Sequence, residues 1–330
     1  MIDPYNRNIN YLRVSVTDRC NLRCKYCMPK DGLSRIGHND ILRYEEILRV
    51  VRSGIRLGIS KVRITGGEPL VRRGIVDFMA RLVSIEGLAD ISLTTNGVLL
   101  EKYAHDLFKA GIRRINISLD SLNKGKYAAI TRGGDLNAVL AGIREADRAG
   151  FSPIKINTVA IKGFNDDEIL TFAAHTIDKP YHVRFIELMP LGHAGGDNQN
   201  HYLSNDVVMG VIRQAYPLEA VNGRTNHVDG PARLYRITGG RGGIGFISPV
   251  SRHFCHACNR LRLTADGHLR ACLLMDDETD LKAPLRDGCS DAELEDLIRQ
   301  AIMKKPLEHT MINKEQHLRK CVKEMATIGG

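Results

Sequence analysis

Short β-like segments alternate with helix-like segments through the first 190 residues, and this alternation constrains the fold more than any other feature. A glycine follows each of three helix-like segments, at Gly58, Gly111 and Gly150, where helices commonly end. Strands that are joined by helices form parallel sheets, either doubly wound or barrel-shaped. The β-like segments are 11–17, 61–66, 90–96, 113–120, 153–160 and 182–188, and the helix-like segments are 43–57, 99–110 and 135–149.

Every β-like segment has one apolar face and one polar face. In a parallel sheet the connecting helices cover the apolar face, so the polar face must line a wet space. On the pattern alone, an antiparallel sheet with one face in water is the alternative. Six strands are too few for the closed eight-stranded barrel, so we predict an open partial barrel. Its lumen would carry four cationic side chains and hold a polar anion; the four are Arg13, Arg63, Lys155 and Arg184.

The charge balance also favours an anionic partner. The chain has 47 Lys and Arg against 38 Asp and Glu, a net charge of +9. It has no Trp and only 5% aromatic residues, so a base-stacking surface for single-stranded nucleic acid is poorly supported. No apolar run approaches the ~18 residues that cross a bilayer, and the first ten residues are polar. We therefore expect a cytoplasmic protein without membrane contact.

Three cysteines, Cys20, Cys24 and Cys27, form the motif C-x3-C-x2-C directly after the first β-like segment. Cytosolic thiols stay reduced, so clustered cysteines there indicate metal binding or catalysis more than disulfides. Three thiolates can hold three corners of an iron–sulfur cluster. A closed zinc site is the rival, but it requires four ligands and no fourth lies nearby in the sequence.

A second trio, Cys255, Cys258 and Cys272, has the spacing C-x2-C-x13-C. A zinc knuckle or ribbon is the alternative here, although a ribbon uses a second cysteine pair. Arg260 and Arg262 follow directly, and on an extended segment they share one face. Two guanidiniums beside a metal-bound anion are good ligands for a carboxylate or phosphate.

The first trio resembles the signature of the radical S-adenosylmethionine (SAM) superfamily, with its aromatic Tyr26 before the third cysteine. The segment TGGEP at 65–69 resembles the superfamily segment that receives the SAM amino group. This resemblance implies a [4Fe–4S] cluster on Cys20, Cys24 and Cys27, with SAM on the open iron. It also implies an α/β fold, an incomplete (β/α)6 TIM-like barrel, which agrees with the strand pattern.

The whole chain resembles the GTP 3′,8-cyclase family of molybdenum cofactor biosynthesis. The resemblance implies a barrel over residues 1–188 and a C-terminal α+β region over 189–330 with a second [4Fe–4S] cluster. That cluster would sit on the second trio, and its open iron would bind the guanine of GTP. The matching segments are YLRVSVTDRCNLRCKYCMP, KVRITGGEPLVR, TTNG, INISLDSL, KINTV, VRFIELMP, FCHACNRLRLTADGHLRACL and the final Gly-Gly.

The family resemblance also implies roles for individual residues. SAM contacts would be Tyr26, Gly67, Ser118 and Met189. GTP contacts would be Arg13, Arg63, Thr94, Lys155, Arg260, Leu261 and Arg262, with Arg184 a further partner. The catalytic assignments among these are Arg13, Arg184, Arg260 and Arg262. Two final glycines are ordinarily a frayed tail, but the resemblance implies that Gly329 and Gly330 thread into the lumen.

The implied reaction begins with removal of the 3′ hydrogen of GTP by a deoxyadenosyl radical, followed by attack of C3′ on C8 of guanine. The product would pass to cyclic pyranopterin monophosphate synthase, and an electron donor and a possible homodimer are further expected partners. Two other hypotheses remain at this point: a basic zinc-ribbon protein that binds nucleic acid, and a radical enzyme that modifies a peptide.

Three segments and two cysteines outside these motifs complete the expectations. The Gly- and Asn-rich segment 191–201 predicts a loop, the glycine-rich segment 239–245 predicts turns, and 290–304 predicts an amphipathic helix. The remaining Cys289 and Cys321 are interpreted as ordinary thiols.

Overall fold

A single twelve-stranded sheet organises the residues that the computed structural model describes, which are 1–33, 36–191, 200–221, 230–309, 321 and 323–329. The strands in these ranges are β1 (Tyr11–Ser15), β2 (Lys61–Thr65), β3 (Asp90–Thr95), β4 (Arg114–Ser118), β5 (Lys155–Ala160), β6 (His182–Glu187), β7 (Leu218–Ala220), β8 (Arg233–Ile237), β9 (Gly243–Ile247), β10 (Arg260–Leu263), β11 (His268–Arg270) and β12 (Thr279–Asp280). The α-helices are α1 (Tyr44–Arg56), α2 (Ile75–Val83), α3 (Leu100–Lys109), α4 (Lys124–Thr131), α5 (Leu136–Ala149), α6 (Ile169–Asp178), α7 (Asn205–Ala215), α8 (Lys282–Arg286) and α9 (Asp291–Met303). None of these helices is long and apolar enough to cross a membrane.

The sheet has the order β12-β11-β10-β1-β2-β3-β4-β5-β6-β9-β8-β7. Strands β1 to β6 are parallel neighbours in chain order, as the strand–helix alternation predicts. The six predicted strands are all present, and β10 and β9 add a further parallel strand on each side of them, next to β1 and β6. Their outer neighbours, β11 and β8, are antiparallel. In the described residues the sheet ends at β12 and β7, which do not pair with each other, so the barrel stays open.

The apolar faces of the strands form the main core together with the helices. Val14, Val62, Ile117 and Val183 are fully buried in it. Burial of each such side chain stabilises the fold by roughly 1.5–3 kcal/mol. The predicted helix end at Gly150 is confirmed, because this residue ends α5 with φ +100°, a backbone conformation that favours glycine. The polar faces of the same strands consequently point into the barrel.

The C-terminal region is fastened to the barrel by α9, which confirms the amphipathic helix predicted at 290–304. This helix begins with a capping box between Ser290 and Glu293. Its first residue pairs with α1, where Arg49 Nε lies 2.8 Å from Asp291 Oδ1. The sheet thus continues beyond residue 188. The boundary between a barrel domain and a C-terminal domain at residues 188/189 stays a prediction.

Two further predictions concern the glycine-rich segments at 239–245 and 191–201. The prediction of turns at 239–245 is wrong for its second half, because Gly243 begins the buried strand β9. The glycines there leave room for neighbours: a Cβ on Gly245 would lie 3.0 Å from Cγ of Arg184. Of the predicted loop at 191–201, residues 192–199 lie outside the described part of the chain, as does Gly330.

Candidate active site

The two cysteine trios lie at opposite ends of the barrel. Cys20, Cys24 and Cys27 follow the carboxyl end of β1. Cys258 precedes β10 and Cys272 follows β11, and these strands form an antiparallel hairpin that brings both residues to one end. Because β10 is parallel to β1, with Arg260 opposite Tyr11, that end is the amino end of the barrel strands. The four residue steps of β1 alone separate the two ends by about 13 Å.

One cavity connects the two trios. Its walls also include the cationic residues that the alternation placed in the lumen, with the exception of Lys155. Residues that line it include Cys20, Cys24, Cys27, Cys255, Cys258, Cys272, Arg13, Arg63, Arg184, Arg260 and Arg262. A continuous chamber with thiols at both ends and guanidiniums between them can hold two reactants side by side.

Gly66 and Gly67 bring the TGGEP loop against the backbone of residues 17–19, directly before Cys20. A Cβ on Gly67 would clash with the carbonyl oxygen of Arg19 and lie 2.8 Å from that of Asp18. The loop is also hydrogen-bonded there: Gly67 N donates to the Thr17 carbonyl at 2.7 Å and Glu68 N to the Arg19 carbonyl at 2.8 Å. Only glycine permits this approach, which explains the Gly-Gly of the motif.

Glu68 braces the loops around the first trio, a role that the sequence analysis missed. Its fully buried carboxylate accepts hydrogen bonds from Thr95 Oγ1 at 2.7 Å and from Asn96 N at 2.6 Å. Burial raises the pKa of Glu68 to about 7, against the effect of these hydrogen bonds. The carboxylate therefore ties the loop after β2 to the loop after β3.

Tyr26, a predicted SAM contact, is held by a second buried carboxylate that the sequence analysis also missed. Its hydroxyl donates to Asp120 Oδ2 at 2.6 Å. Burial raises the pKa of Asp120 to about 6, although Tyr26 and the Val159 amide both donate to the carboxylate. Ser118 and Met189 line the same cavity, as does Gly67. The structure thus brings all four predicted SAM contacts to the carboxyl end of the barrel.

The second trio has an electropositive setting. Cys255 begins a 3-10 turn that spans Cys255–Ala257, and Cys258 N donates to its carbonyl at 3.1 Å. Burial would raise the pKa of the Cys258 thiol, but the cationic Arg260 and Lys305 outweigh burial and lower it to about 6. A thiol that ionises near neutral pH is well suited to bind a metal centre.

Basic groups crowd the lumen between the trios. Burial and the guanidiniums of Arg63 and Arg260 lower the pKa of Arg13 to about 10. Burial and Arg184 are the main causes that lower the pKa of Lys155 to about 6. Burial and mutual repulsion disfavour the charged forms of these groups, and a bound anion would favour them, so the lumen is suited to a polyanion.

Polar atoms without partners also face the lumen, and they show that it fits a ligand. Among the described residues, Thr94 Oγ1, Asn157 Oδ1 and the Tyr11 hydroxyl are buried without a hydrogen-bond partner. All three residues line the cavity. Buried polar atoms are ordinarily hydrogen-bonded, so a polar ligand would complete these sites.

Comparison with known proteins identifies the family. Residues 14–175 match the Radical SAM superfamily, and residues 181–311 match Molybdenum Cofactor Synthesis C. The GTP 3′,8-cyclase of Moorella thermoacetica is 50% identical over 330 residues, which is 100% of both chains. The GTP 3′,8-cyclase of Alkaliphilus oremlandii is 46% identical, again over 100% of both. This chain belongs to the GTP 3′,8-cyclase family. Both family resemblances that were stated from the sequence are thereby confirmed.

Solved structures support the fold of this GTP 3′,8-cyclase family member. Streptococcus suis SuiB, bound to the precursor peptide SuiA, superimposes with a TM-score of 0.57 at 14% identity. The match covers 98% of this chain and 75% of SuiB. The SAM-bound form of SuiB gives a TM-score of 0.56. The incomplete TIM-like radical SAM barrel is therefore confirmed.

As a radical SAM enzyme of molybdenum cofactor biosynthesis, this GTP 3′,8-cyclase family member carries two [4Fe–4S] clusters and uses SAM. The six cavity-lining thiols fit this requirement. Within the described ranges, no three His, Cys, Asp or Glu side chains converge as ligands of one metal ion. In a cubane cluster each thiolate binds a different iron, so a trio that holds a cluster has no need to converge on one point.

Leu261, Lys155 and Gly329 are three predicted GTP or tail residues that differ in how they are placed relative to the lumen. Leu261 is buried in the main core, on the opposite face of β10 from Arg260 and Arg262. Its contact with GTP stays a prediction, and such a contact would have to come from the backbone of Leu261, because the side chain faces the core. Lys155 is buried beside Arg184 and Arg63. The carbonyl of Gly329 accepts a hydrogen bond from Arg262 Nη1 at 2.6 Å, so the tail reaches the lumen.

Proposed function

We propose that the chamber between the two cysteine trios is where this chain converts GTP to (8S)-3′,8-cyclo-7,8-dihydroguanosine 5′-triphosphate, the first step of molybdenum cofactor biosynthesis. The observation that carries the proposal is the single cavity lined by both trios and by five arginines. Each trio supplies only three thiolates, so a cluster there keeps one iron open for a small molecule. The positive lumen suits the triphosphate.

The first trio would hold the cluster that binds SAM. Tyr26, Gly67, Ser118 and Met189 are the proposed SAM contacts, because all of them line the cavity beside Cys20, Cys24 and Cys27. When bound to Cys20, Cys24 and Cys27, the cluster would supply the electron for reductive cleavage of SAM, and with it the radical chemistry at the 3′ position of the ribose. Glu68 and Asp120 then have a positioning role, since they fix the loops that carry these contacts.

The second trio and the strand that follows it would hold the nucleotide. We assign Cys255, Cys258 and Cys272 to the cluster that receives guanine, and Arg260, Leu261 and Arg262 to GTP itself. Arg13, Arg63, Thr94, Lys155 and Arg184 would contact the rest of the nucleotide. Each charge-assisted hydrogen bond to a phosphate contributes on the order of 1.5–3 kcal/mol. Of these residues, Arg13, Arg184, Arg260 and Arg262 are the proposed catalytic groups.

The contribution of the protein to the reaction is orientation and exclusion. A primary carbon radical reacts with any nearby C–H bond, so the ribose must lie in contact with it while water and side chains stay away. The tail supports this exclusion, because Gly329 is fixed on Arg262 at the lumen wall. A Cβ on Gly329 would lie 3.0 Å from Cβ of Ser15, so a larger residue would crowd β1.

Isotope transfer tests the proposed reaction. Reduced, reconstituted protein is incubated with SAM and GTP that carries deuterium at C3′, and 5′-deoxyadenosine is analysed by mass spectrometry. We expect one deuterium in the 5′-deoxyadenosine and a product of the mass of cyclised GTP. GTP with deuterium at C2′ is the control and should transfer none. 5′-Deoxyadenosine without deuterium from the C3′-labelled substrate would contradict the proposal.

GTP affinity should fall as the pH rises, because of Lys155. Its pKa is lowered from 10.5 to about 6, so the free protein holds it neutral above pH 6. A bound triphosphate favours the ammonium form and raises this pKa, so binding takes up a proton. We expect the Kd for GTP to rise by up to about tenfold per pH unit between pH 7.5 and 9.

Titration calorimetry in two buffers of different ionisation enthalpy measures this proton uptake directly. The parent should take up close to one proton per GTP at pH 8, while Lys155→Met and Lys155→Arg should each take up less. Lys155→Arg keeps a permanent positive charge and should lose the least affinity at pH 9. Equal proton uptake by the parent and by Lys155→Met would exclude Lys155 as the group that is protonated.

We further infer the partners of the reaction from the family. GTP is the substrate, an electron donor reduces the clusters, and cyclic pyranopterin monophosphate synthase would consume the product. A homodimer and a cytoplasmic location stay predictions of the same kind.

A further inference from the structure

Lys305 is a buried lysine beside the second cysteine trio. It follows α9, and only 3% of the residue is exposed. Lysine is almost never buried to this extent unless its charge is compensated. Among the described residues, no carboxylate forms an ion pair with Lys305; the neighbouring groups that favour its charge are the thiols of Cys258 and Cys272. The position of this ammonium therefore requires an explanation.

The ammonium of Lys305 bridges the two backbone segments that carry those thiols. Nζ donates to the carbonyl oxygen of Arg260 at 2.9 Å, two residues after Cys258. It also donates to the carbonyl oxygen of Ala271, the residue directly before Cys272. One side chain thus fixes the spacing between the start of β10 and the segment after β11.

The residues next to Lys305 are fastened to Cys255, the remaining cysteine of the trio. Arg7 donates to the carbonyl oxygens of Pro306 at 2.7 Å, of Leu307 at 2.9 Å and of Cys255 at 2.8 Å. Asp3 holds Arg7 in place by accepting from its Nε at 2.6 Å, and both residues are buried. The segment that carries Lys305 is consequently fixed against the Cys255 turn, which leaves the ammonium little freedom to move away.

We propose that Lys305 is a positioning residue of the second cluster, which aligns its ligand segments and places a fixed positive charge beside its thiolates. This inference rests on the proposed function, in which Cys255, Cys258 and Cys272 hold that cluster. The reduced cluster has one more negative charge than the oxidised cluster, so a nearby cation favours reduction. Net charge and hydrogen bonding around the ligands are known determinants of cluster potentials.

The test uses the full chain with Cys20→Ser, Cys24→Ser and Cys27→Ser, so that only the second trio can hold a cluster. The parent of this series should contain about four irons after anaerobic reconstitution. Its midpoint potential is measured by electron paramagnetic resonance in a redox titration. With Lys305→Met added, we expect a roughly tenfold smaller ratio of reduced to oxidised cluster at a given potential, a midpoint about 59 mV lower.

Two matched variants decide the interpretation. Lys305→Arg keeps the charge, and Lys304→Met makes the same change at the exposed neighbouring lysine. Both should stay within about twofold of the parent ratio. If Lys305→Met instead loses its iron, retention of iron in Lys305→Arg and Lys304→Met supports the proposal.

Three results would count against these assignments. A Lys305→Met ratio within twofold of the parent would overturn the role of Lys305. An equal shift or equal iron loss in Lys305→Arg and Lys305→Met would also overturn it, because the charge would then be irrelevant. Absence of iron from the parent of the series would instead contradict the assignment of Cys255, Cys258 and Cys272, a separate failure of the proposed function.

Discussion

Replacing Cys24 by serine should abolish reductive cleavage of SAM. Cys24 is the central thiol of the first trio, and the amides of Cys27 and Met28 donate to its carbonyl, so the loop turns around it. Serine replaces a soft thiolate by a poor iron ligand. Formation of 5′-deoxyadenosine by the reduced protein should fall by at least about a thousandfold, whether or not GTP is present.

Cys289→Ser is the matched control for this variant. Cys289 is half-buried, packs against the main core and lies outside the lining of the cavity. It should keep the parent rate and the parent iron content, while Cys24→Ser should lose about half of the iron. Residual 5′-deoxyadenosine formation well above about a thousandth of the parent rate in Cys24→Ser would mean that this thiol does not hold the SAM-binding cluster.

Replacing Cys272 by serine should separate the two halves of the reaction. This variant keeps the first trio intact, so some SAM cleavage should survive. It removes one of the three proposed ligands of the second cluster, so GTP should lose its anchor at the guanine. We expect GTP affinity to weaken by at least about a hundredfold and the cyclised product to disappear.

Equilibrium binding of GTP and the yield of 5′-deoxyadenosine, measured on the same preparations, give the comparison. The proposed assignment requires opposite profiles: Cys24→Ser binds GTP without SAM cleavage, and Cys272→Ser cleaves some SAM without GTP binding. Identical failure of both variants at SAM cleavage would show that the first trio does not serve SAM cleavage alone and the second trio GTP binding alone.

Much of the barrel and part of the lumen can be predicted from the sequence, because both depend on local periodicity. Once β1, β2 and β6 are parallel and covered by helices on one side, their other side must face the barrel. That argument places Arg13, Arg63 and Arg184 in the lumen, and the structure has all three on the cavity wall. The cysteine spacings are also local and need no knowledge of the fold.

The edges of the sheet could not be predicted in this way. Strand β9 lies in the glycine-rich segment that predicts turns, and Gly243 and Gly245 are weak strand formers, so the local sequence does not indicate a strand there. It becomes a strand because it pairs with β6, more than fifty residues earlier in the chain. Pairing with β1 likewise orients β10, and this orientation places the second trio at the end of the barrel opposite the first.

The buried groups that support the site were missed for a related reason. Glu68 lies in the TGGEP segment and Asp120 at the end of the β-like segment 113–120, but neither segment indicates which partner its carboxylate has, and no motif contains Lys305. Each acquires its role from a partner in a distant segment, such as Asn96 for Glu68 or the Ala271 carbonyl for Lys305. A charged residue is usually solvated, so the sequence does not indicate that these three are buried supports of the site.

The sequence by itself therefore determined which chemical groups the site contains. These are two sets of three thiolates, a glycine pair that permits close approach of two backbone segments, and a polar strand face rich in basic residues. These signals are local, since spacing and alternation are properties of short segments. The tertiary structure alone decided that both sets open into one cavity from opposite ends, and which distant charges support them. The shared cavity and its distant supporting charges result from pairing and burial between segments that are far apart in the chain. The free energy of such contacts depends on the tertiary structure and cannot be read from the sequence of one short segment.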